Sequence, residues 1–513
     1  MAFMNQTSQN SSKQKIVIVG GGTAGWLSAA IIAAKHKVAD GECGLDITLV
    51  ESSDIPTVGV GEGTWPTMRN TLKDIGLSEK EVFKRCSAAF KQGGKFVNWV
   101  AGNNDYYYHP FTVPLGYGRV EMAPYVDNIA EFANATNFQQ HVCEHNMAPR
   151  TLSEEEYSSA QSNYAYHLDA GAFADQLREF SKSTLGVKHT VATVLSVQSN
   201  GTNNIESITL DNGECLSADL FIDCSGFKSL LLGETLQEPL VSTDDVLFNN
   251  SALALHVPYE GDYEIKPYTQ ATAQEAGWIW DIGLASRRGV GHVYSTNFIS
   301  DDKAETLLRN YVGDQAGELS ARVIRFNSGY RKNIWKGNVV GIGLAAGFVE
   351  PLEATALMLI EISARFVAEQ MPLPNAAMPI VSQRFNKQMQ YRWQRIIDFL
   401  KLHYIFNQRS EDYWVANRNP ATIPDSLKED LEIWKYRGPQ IADFSAAIEL
   451  FPAASYQYVL YGMGFSPDFS LQSHFYNERD LATKVIQQNQ LITQQKLSSL
   501  PNHRDYIAQW LAS

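Results

Sequence analysis

The clearest hydrophobic pattern lies near the start of the chain, where the apolar run Ile16–Val19 is followed by glycines and then by an alanine-rich stretch. A short, wholly apolar run is typical of a parallel strand that is buried on both faces. The stretch Trp26–Lys37 predicts a helix, and the mostly apolar run Ile47–Val50 predicts a second strand. Strand, helix and strand in this order predict a β-α-β unit, and hence a parallel sheet covered by helices.

Four later segments predict how the sheet structure continues. The apolar runs Leu220–Ser225 and Asn338–Ile342 each lead into glycine-containing turns, and we interpret them as further strands of the first sheet. Between them, Ser251–Val257 and Gly291–Phe298 alternate or run apolar, which predicts a second, mostly antiparallel sheet. The strands of the first sheet would therefore come from distant parts of the sequence.

The pattern becomes helical after about residue 353. The segments Leu357–Gln370 and Gln383–Leu402 show the clearest helical periods. We predict three parts: a disordered lead-in over residues 1–14, a module of interleaved segments over 15–375, and a helical C-terminal region over 376–513.

The glycines after the first strand indicate a nucleotide site. Gly20, Gly22 and Gly25 fit the pattern G-x-G-x-x-G, and Glu51 ends the second predicted strand. Such glycines let the backbone approach a pyrophosphate at a helix N-terminus, and the acidic residue holds a ribose hydroxyl. The distant returning strands favour FAD over a simple NAD dehydrogenase.

Composition narrows the class of partner and compartment. The 513 residues include 42 Lys and Arg against 56 Asp and Glu, a net charge of −14, which disfavours binding of nucleic acid or of an anionic membrane. Five scattered cysteines without a C-x-x-C pair argue against a disulfide framework or a zinc site, and we expect no metal. Without a secretory signal or an apolar run of about 18 residues, we expect a cytoplasmic protein.

Four sequence blocks together resemble the flavin-dependent halogenases of the tryptophan-halogenase type. They are GGGTAGW at 20–26, DIPTVGVGEGTWP at 54–66, FKQGGKFVNW at 90–99 and GFVEPLEAT at 347–355, with GWIWDIG at 277–283 as a fifth. The resemblance runs from about residue 14 to at least residue 470. It implies an α/β fold: a split, FAD-binding Rossmann-like (PHBH-type) fold with an inserted antiparallel substrate-side sheet. The helical C-terminal region would be a substrate-binding lid.

The resemblance also implies a reaction. In this family a separate flavin reductase supplies reduced FAD (FADH2), whose C4a-hydroperoxide oxidises chloride or bromide to hypohalous acid. This electrophile then crosses a tunnel to an electron-rich aromatic substrate. The family's catalytic residues match Lys91 and Glu353. A buried ammonium can hold hypohalous acid or form a haloamine once neutral, and a carboxylate can orient the electrophile and accept the proton that the ring loses.

Matching residue by residue assigns the remaining sites. The residues implied for cofactor binding are Gly20, Gly21, Gly22, Thr23, Ala24, Gly25, Glu51, Ser52, Ile55, Val58, Val60, Gly63, Val194, Leu344 and Leu357. Those implied for the halide are Thr355 and Ala356, and those implied for the aromatic substrate are His109, Phe111, Tyr456, Trp278 and Trp280. By their spacing alone, without the resemblance, the two tryptophans would be interpreted as core residues of a half-buried strand.

Three positions depart from the family pattern. Ala354 replaces a serine, Ala356 replaces a glycine, and Gly283 replaces a proline. An alanine at 356 would disturb a halide pocket if that position needs a positive φ. Glu350 remains an alternative to Glu353 as the working acid.

The expected substrate is of indole or phenol type, because no residues that would grip the amino and carboxylate groups of free tryptophan are recognisable. The alternatives are a flavin-dependent aromatic monooxygenase and a catalytically quiet flavin-binding protein. A homodimer is left open.

Overall fold

The computed structural model describes residues 13–41, 44–53 and 61–513. In chain order its strands are β1 Gln14–Val19, β2 Leu45–Glu51, β3 Gly61–Gly63, β4 Ala89–Lys91, β5 Gly93–Val97, β6 Tyr106–Pro110, β7 Ala165–Asp169, β8 Lys188–Val191, β9 Val194–Ser199, β10 Ile205–Leu210, β11 Cys215–Leu216, β12 Leu220–Asp223, β13 Leu240–Ser242, β14 Ser251–Pro258, β15 Thr269–Ala273, β16 Trp278–Gly283, β17 Arg287–Tyr294, β18 Arg322–Arg325, β19 Gly329–Arg331, β20 Trp335–Lys336, β21 Val339–Gly341 and β22 Gly347–Phe348. Its helices are α1 Thr23–His36, α2 Thr67–Ile75, α3 Glu79–Arg85, α4 Phe132–Thr136, α5 Phe138–Glu144, α6 Ala170–Ser183, α7 Asp301–Val312, α8 Thr355–Gln370, α9 Met378–Ile405, α10 Asp412–Asn417, α11 Asp425–Trp434, α12 Ala453–Gly462, α13 Arg479–Ser499 and α14 His503–Ala512.

A six-stranded sheet contains the nucleotide-binding unit, in the order β20-β21-β12-β1-β2-β8. Strand β1 pairs in parallel with β2 on one side and β12 on the other, and β12 pairs in parallel with β21. Helix α1 follows β1 and packs against α6 and α8. The α/β class and the split sheet predicted from the sequence are confirmed. Helix α1 starts three residues before the predicted helix and ends at His36, because Lys37 adopts a left-handed conformation with φ 50°.

The second predicted sheet has seven strands, in the order β18-β14-β17-β16-β15-β5-β6. Every pair in it is antiparallel except β15 with β5, so the prediction of a mostly antiparallel sheet is confirmed. The predicted strand Gly291–Phe298 begins and ends four residues later than the observed strand β17, Arg287–Tyr294. Strand β17 ends at Tyr294 because the chain turns next, where the Phe298 N–H bonds to the Ser295 carbonyl.

A small sheet, β3-β7-β4, positions the first functional side chain. Strand β7 lies in the middle, so its residue His167 is paired with Gly63 of β3 on one side and with Ala89 of β4 on the other. Lys91, at the end of β4, pairs with Ala165. The described end of the glycine-rich block, residues 61–66, and the lysine block at 90–99 are therefore neighbours in space.

Helices make up most of the chain after residue 355, as the sequence predicted. Helix α9 extends over Met378–Ile405 and is longer than the predicted segment at both ends. Its last two turns are buried, and they lie behind the loop that precedes α8. In the part of the chain that the structure describes, no helix is both long enough and apolar enough to span a bilayer.

Candidate active site

Lys91 is a buried ammonium with free donors. Its side chain is 4% exposed, and within residues 61–513 no protein atom accepts a hydrogen bond from its Nζ. The Nζ atom lies 5.3 Å from the centroid of the Phe111 ring, and a Cβ at Gly63 would lie 3.2 Å from it. Burial lowers the pKa of Lys91 to about 8, although the charge of Glu353 opposes this shift.

Glu353 lies in the loop before α8 and contacts two histidines. Its Oε1 atom is 3.0 Å from Nδ1 of His109 and 3.1 Å from Nε2 of His403. Burial alone would raise the pKa of this carboxyl, but the charge and hydrogen bond of His109 and the contact of His403 outweigh burial. The pKa of Glu353 therefore lies well below its usual value, and the group is ionised.

Glu350, the alternative acid, is enclosed by donors. Its carboxylate accepts hydrogen bonds from Trp278 Nε1 at 2.8 Å, from Asn249 Nδ2 at 2.5 Å and from Tyr404 OH at 2.9 Å. Burial raises the pKa of Glu350, against these hydrogen bonds and the nearby charge of Lys401. Because both of its oxygens are engaged, Glu350 is suited to hold the loop together, and Glu353 is the better candidate for chemistry.

The loop between Glu353 and α8 contains the one strained residue of this region. Ala354 has φ 53° and ψ 40°, a left-handed conformation that costs a residue with a Cβ about 1–2 kcal/mol. Thr355 and Ala356 are the first two residues of α8, which has no side-chain cap, and Ala356 has an ordinary helical φ. The condition of a positive φ is therefore not met at Ala356; the left-handed residue of this loop is Ala354.

The predicted phosphate turn is closely packed. A Cβ at Gly20 would lie 2.2 Å from the Cys224 carbonyl oxygen, and a Cβ at Gly21 would lie 1.6 Å from a carboxylate oxygen of Glu51. A Cβ at Gly25 would lie 1.8 Å from the Gly20 carbonyl oxygen. The residue before α1, Gly22, has open space around it and provides no side-chain cap, so the first N–H groups of α1 are available to an anion. These features fit a dinucleotide pyrophosphate.

The other predicted cofactor residues lie on several elements. Thr23 and Ala24 open α1, and a Cβ at Gly343, next to Leu344, would lie 2.7 Å from the Ala24 side chain. Ser52 bonds to Thr193, the residue before Val194. Leu357 is buried in the first turn of α8. Ile55, Val58 and Val60 lie outside the described residues.

The predicted substrate residues fall into two groups. His109 and Phe111 lie beside the lysine and the glutamate, on and just after β6. Tyr456 is buried and packs its ring on Phe399. Its hydroxyl accepts a hydrogen bond from Arg395 at 3.2 Å.

The two tryptophans lie in the seven-stranded sheet. Trp278 bonds to Glu350, and Trp280 covers Gly291, where a Cβ would lie 2.1 Å from its ring. No described contact joins Trp280 or Tyr456 to Lys91 or Glu353, so the substrate roles of these residues remain predictions.

Sequence analysis missed two residues at this site. Trp65 donates its indole N–H to the Glu353 backbone carbonyl at 2.6 Å, and its ring lies 5.4 Å from Phe111 and 5.4 Å from Phe451. His403 reaches Glu353 from α9. Trp65 lies inside a quoted block, GEGTWP, so its position was a usable signal; His403 follows an ordinary helical pattern and gave none.

The comparisons with known proteins identify the family. The profile of the family described as tryptophan halogenase matches residues 15–475. The chain is 35% identical over 475 residues to the tryptophan 6-halogenase SttH of Streptomyces toxytricini, covering 88% of this chain and 89% of that protein.

Solved structures extend the match to the fold. The tryptophan halogenase from Shewanella frigidimarina NCIMB 400 has a TM-score of 0.92 and 44% identity over 98% of each chain. BrvH, a flavin-dependent halogenase from Brevundimonas sp. BAL3, has a TM-score of 0.85 and 30% identity over 98% of this chain and 100% of its own. The similarity therefore includes both the nucleotide-binding unit and the C-terminal helices.

Proposed function

Because the chain belongs to the tryptophan halogenase family, whose members include flavin-dependent halogenases, we propose that it halogenates a small electron-rich aromatic molecule, using chloride or bromide. The observation that carries this proposal is the closeness of Lys91 to the Glu353 loop: a Cβ at Gly63 would lie 3.2 Å from the Lys91 Nζ and 3.5 Å from the Ala354 Cβ. A buried ammonium with free donors therefore lies within the electrostatic influence of a buried carboxylate that is held ionised. In a structural ion pair the ammonium would donate its hydrogen bonds to the carboxylate, whereas here the N–H donors of Lys91 are left for a ligand.

The residues of the nucleotide unit fit FAD. The glycine turn at 20–25, the open N-terminus of α1 and Glu51 would hold the pyrophosphate and a ribose, and Leu344 and Leu357 would line the flavin end. When bound as FADH2, this cofactor reacts with oxygen and halide to supply hypohalous acid. No basic cluster for a nicotinamide cofactor was recognised in the sequence, so we propose that a separate flavin reductase supplies the reduced flavin.

The halide would bind at the start of α8. The N–H groups of the first turn of a helix favour an anion, and α8 begins at Thr355 and Ala356 without a side-chain cap. The left-handed Ala354 turns the chain so that Glu353 and this helix start are adjacent in the same loop. The proposed halide position would thus be separated from the proposed acid by one residue, Ala354.

The two catalytic side chains would act in sequence. The Lys91 ammonium would hold the oxygen of hypohalous acid by a hydrogen bond and polarise it, which aims the halogen at the substrate. The Glu353 carboxylate would accept the proton that the substrate ring loses as it regains aromaticity. Burial strengthens both interactions, because water does not compete inside the site.

The substrate class follows from the side chains beside the pair. They are the rings of Trp65, His109, Phe111 and Phe451, which suit a flat apolar ring. The guanidinium of Arg395, which reaches Tyr456, is committed to Asp430, Asp398 and Tyr456. We therefore propose an indole or phenol rather than free tryptophan, whose carboxylate would need a partner.

Three further expectations from the sequence stay proposals. They are the boundary between the FAD-binding module and the helical C-terminal region at residues 375 and 376, the role of residues 376–513 as a substrate-binding lid, and a cytoplasmic location.

The proposal is tested by supplying the whole reaction. The protein is purified with excess FAD and incubated with a flavin reductase, NADH, oxygen, bromide and catalase, and with indole, tryptophan or one of several phenols. Mass spectrometry should show a bromine isotope doublet in the indole or phenol product. A product heavier by one oxygen atom would instead favour a monooxygenase, and no product with FAD bound would favour a quiet flavoprotein.

We expect halogen transfer to fall as the pH rises through about 8, by about tenfold for each unit above that value. The reason is that the ammonium form of Lys91 exists below its pKa and is lost above it. Product formed in a single turnover is measured across pH while flavin reoxidation is followed in the same sample. In Lys91→Arg, if it retains activity, this basic limb should disappear. A rate that rises through pH 8 would show that the neutral amine is the working form.

We expect Trp65→Leu to widen the range of substrates. Trp65 fills the space between Phe111 and Phe451, so a smaller side chain there leaves room for a broader ring system. The ratio of kcat/KM for a fused bicyclic phenol to that for phenol should rise by about tenfold. Trp335→Leu, which changes a tryptophan packed on Phe366 and Phe385, is the matched control. An unchanged ratio in Trp65→Leu would contradict this assignment.

A further inference from the structure

We propose that His403, oriented by Tyr107, is a positioning residue that fixes one oxygen of Glu353 and leaves the other to the substrate. This inference rests on the proposed halogenase function. It begins from an asymmetry in the Glu353 carboxylate: both histidine contacts go to Oε1, and no group in the described part of the chain donates a hydrogen bond to Oε2. One oxygen is therefore anchored by the protein and the other is available.

The hydrogen-bond chain behind His403 fixes which of its nitrogens carries the proton. Its Nδ1 atom lies 2.7 Å from the Tyr107 hydroxyl. Burial raises the pKa of Tyr107 well above its usual value, so this hydroxyl stays protonated and can donate a hydrogen bond to Nδ1. Burial also lowers the pKa of His403, so the imidazole is neutral. Its one N–H must then lie on Nε2, which is 3.1 Å from Glu353 Oε1. This contact is electrostatic, at an angle outside hydrogen-bond geometry, and Nε2 has no hydrogen-bond partner among the described residues.

The ring of His403 is held by packing as well as by Tyr107. Its centroid lies 4.5 Å from that of Phe96 and 5.4 Å from that of Phe399, and the side chain is fully buried. The next residue, Tyr404, bonds to Glu350. The end of α9 thus contacts Glu350 and Glu353, the two carboxylates of the loop that precedes α8, and this long helix sets their positions.

His109 performs a parallel task from the other side. Its Nδ1 contacts the same Oε1, and its Nε2 lies 2.9 Å from the Ser455 hydroxyl. The titratable groups that face Glu353 are thus Lys91 on β4, Tyr107 and His109 on β6, and His403 on α9. Removing the N–H of His403 takes away one of the two donors that keep the carboxylate ionised.

The test uses full-length protein with FAD, flavin reductase and bromide, and reads single-turnover product across pH. In His403→Phe, product formation at neutral pH should fall roughly 10- to 100-fold, because the polar N–H contact to a charged carboxylate is lost. The acid limb of the profile should move up by roughly 1 to 2 pH units, since the pKa of Glu353 is no longer depressed as far. KM for the aromatic substrate should change little.

Two further variants separate positioning from folding. His403→Gln keeps an N–H donor near the position of Nε2 and should restore the wild-type acid limb. Tyr107→Phe should shift the limb in the same direction as His403→Phe, but less. His292→Phe, which removes a buried histidine bonded to the Ala304 carbonyl, is the matched control and should keep the wild-type profile.

An acid limb that stays at its wild-type position in both His403→Phe and Tyr107→Phe, whatever the change in Tm, would overturn the inference. Full activity in Glu353→Gln would instead overturn the proposed function of Glu353, and with it the reason to position that group. The two failures are therefore distinguishable.

Discussion

Alanine in place of Lys91 is expected to lower the formation of halogenated product about a thousandfold or more, while FAD binding and flavin reoxidation stay unchanged. Lys91 is the buried ammonium whose donors are free, and without it nothing beside Phe111 would hold the electrophile. Hypohalous acid should still form and leave the protein. The measurement is bromide-dependent product by mass spectrometry, together with halogenation of a small scavenger added to the solution.

The lysine four residues later provides the control. Lys95 lies over the rings of Tyr106 and Tyr108, at 4.2 Å and 5.3 Å from their centroids, on another part of β5 and β6. Lys95→Ala should therefore keep the wild-type product yield. Lys91→Met, which fills the same volume without a charge, should be as inactive as the alanine variant. Substantial product from Lys91→Met would contradict the catalytic assignment.

Replacing Glu353 with glutamine is expected to lower the rate of halogen transfer by roughly 10²- to 10⁴-fold, the range of a general base. The amide cannot accept the ring proton, and it cannot receive the N–H groups of both His109 and His403 on one negatively charged oxygen. The rate is measured in a single turnover with the substrate that gives the largest product yield. Because the side chains have nearly the same shape, Tm should change little.

Glu350→Gln distinguishes the two acids of the loop. It places an amide among the N–H groups of Trp278 and Asn249 and the hydroxyl of Tyr404, which leaves donors unpaired at a cost of about 1–3 kcal/mol. We expect a lower Tm and a smaller loss of rate than in Glu353→Gln. The reverse ranking of rates would make Glu350 the working acid.

The fold was predictable because its signals are local. The run Ile16–Val19, the glycines after it and Glu51 occur in one short stretch, and each has a direct physical role in a nucleotide site. The bounds were less certain. The sequence extended this strand to Phe298, but β17 ends at Tyr294, where the turn that begins at Ser295 stops the pairing.

The site was predictable only in part. Lys91 and Glu353 lie in recognisable blocks, but what holds Glu353 comes from β6 and α9, and no local pattern joins these elements. His109 was expected to stack on the substrate, and its imidazole nitrogens are both engaged, one by Glu353 and one by Ser455. Such pairings depend on how distant segments pack, and periodicity does not report that.

The order of strands in the six-stranded sheet has a consequence for synthesis of the chain. Strand β1 leaves the ribosome about 200 residues before its partner β12, and β21 comes later still. At roughly 5–20 residues per second, the edge of β1 would wait on the order of ten seconds or more for its partner. Unpaired strand edges favour aggregation. We therefore expect truncated chains that end before residue 220 to need a chaperone, and expression to improve when translation is slowed by cooling.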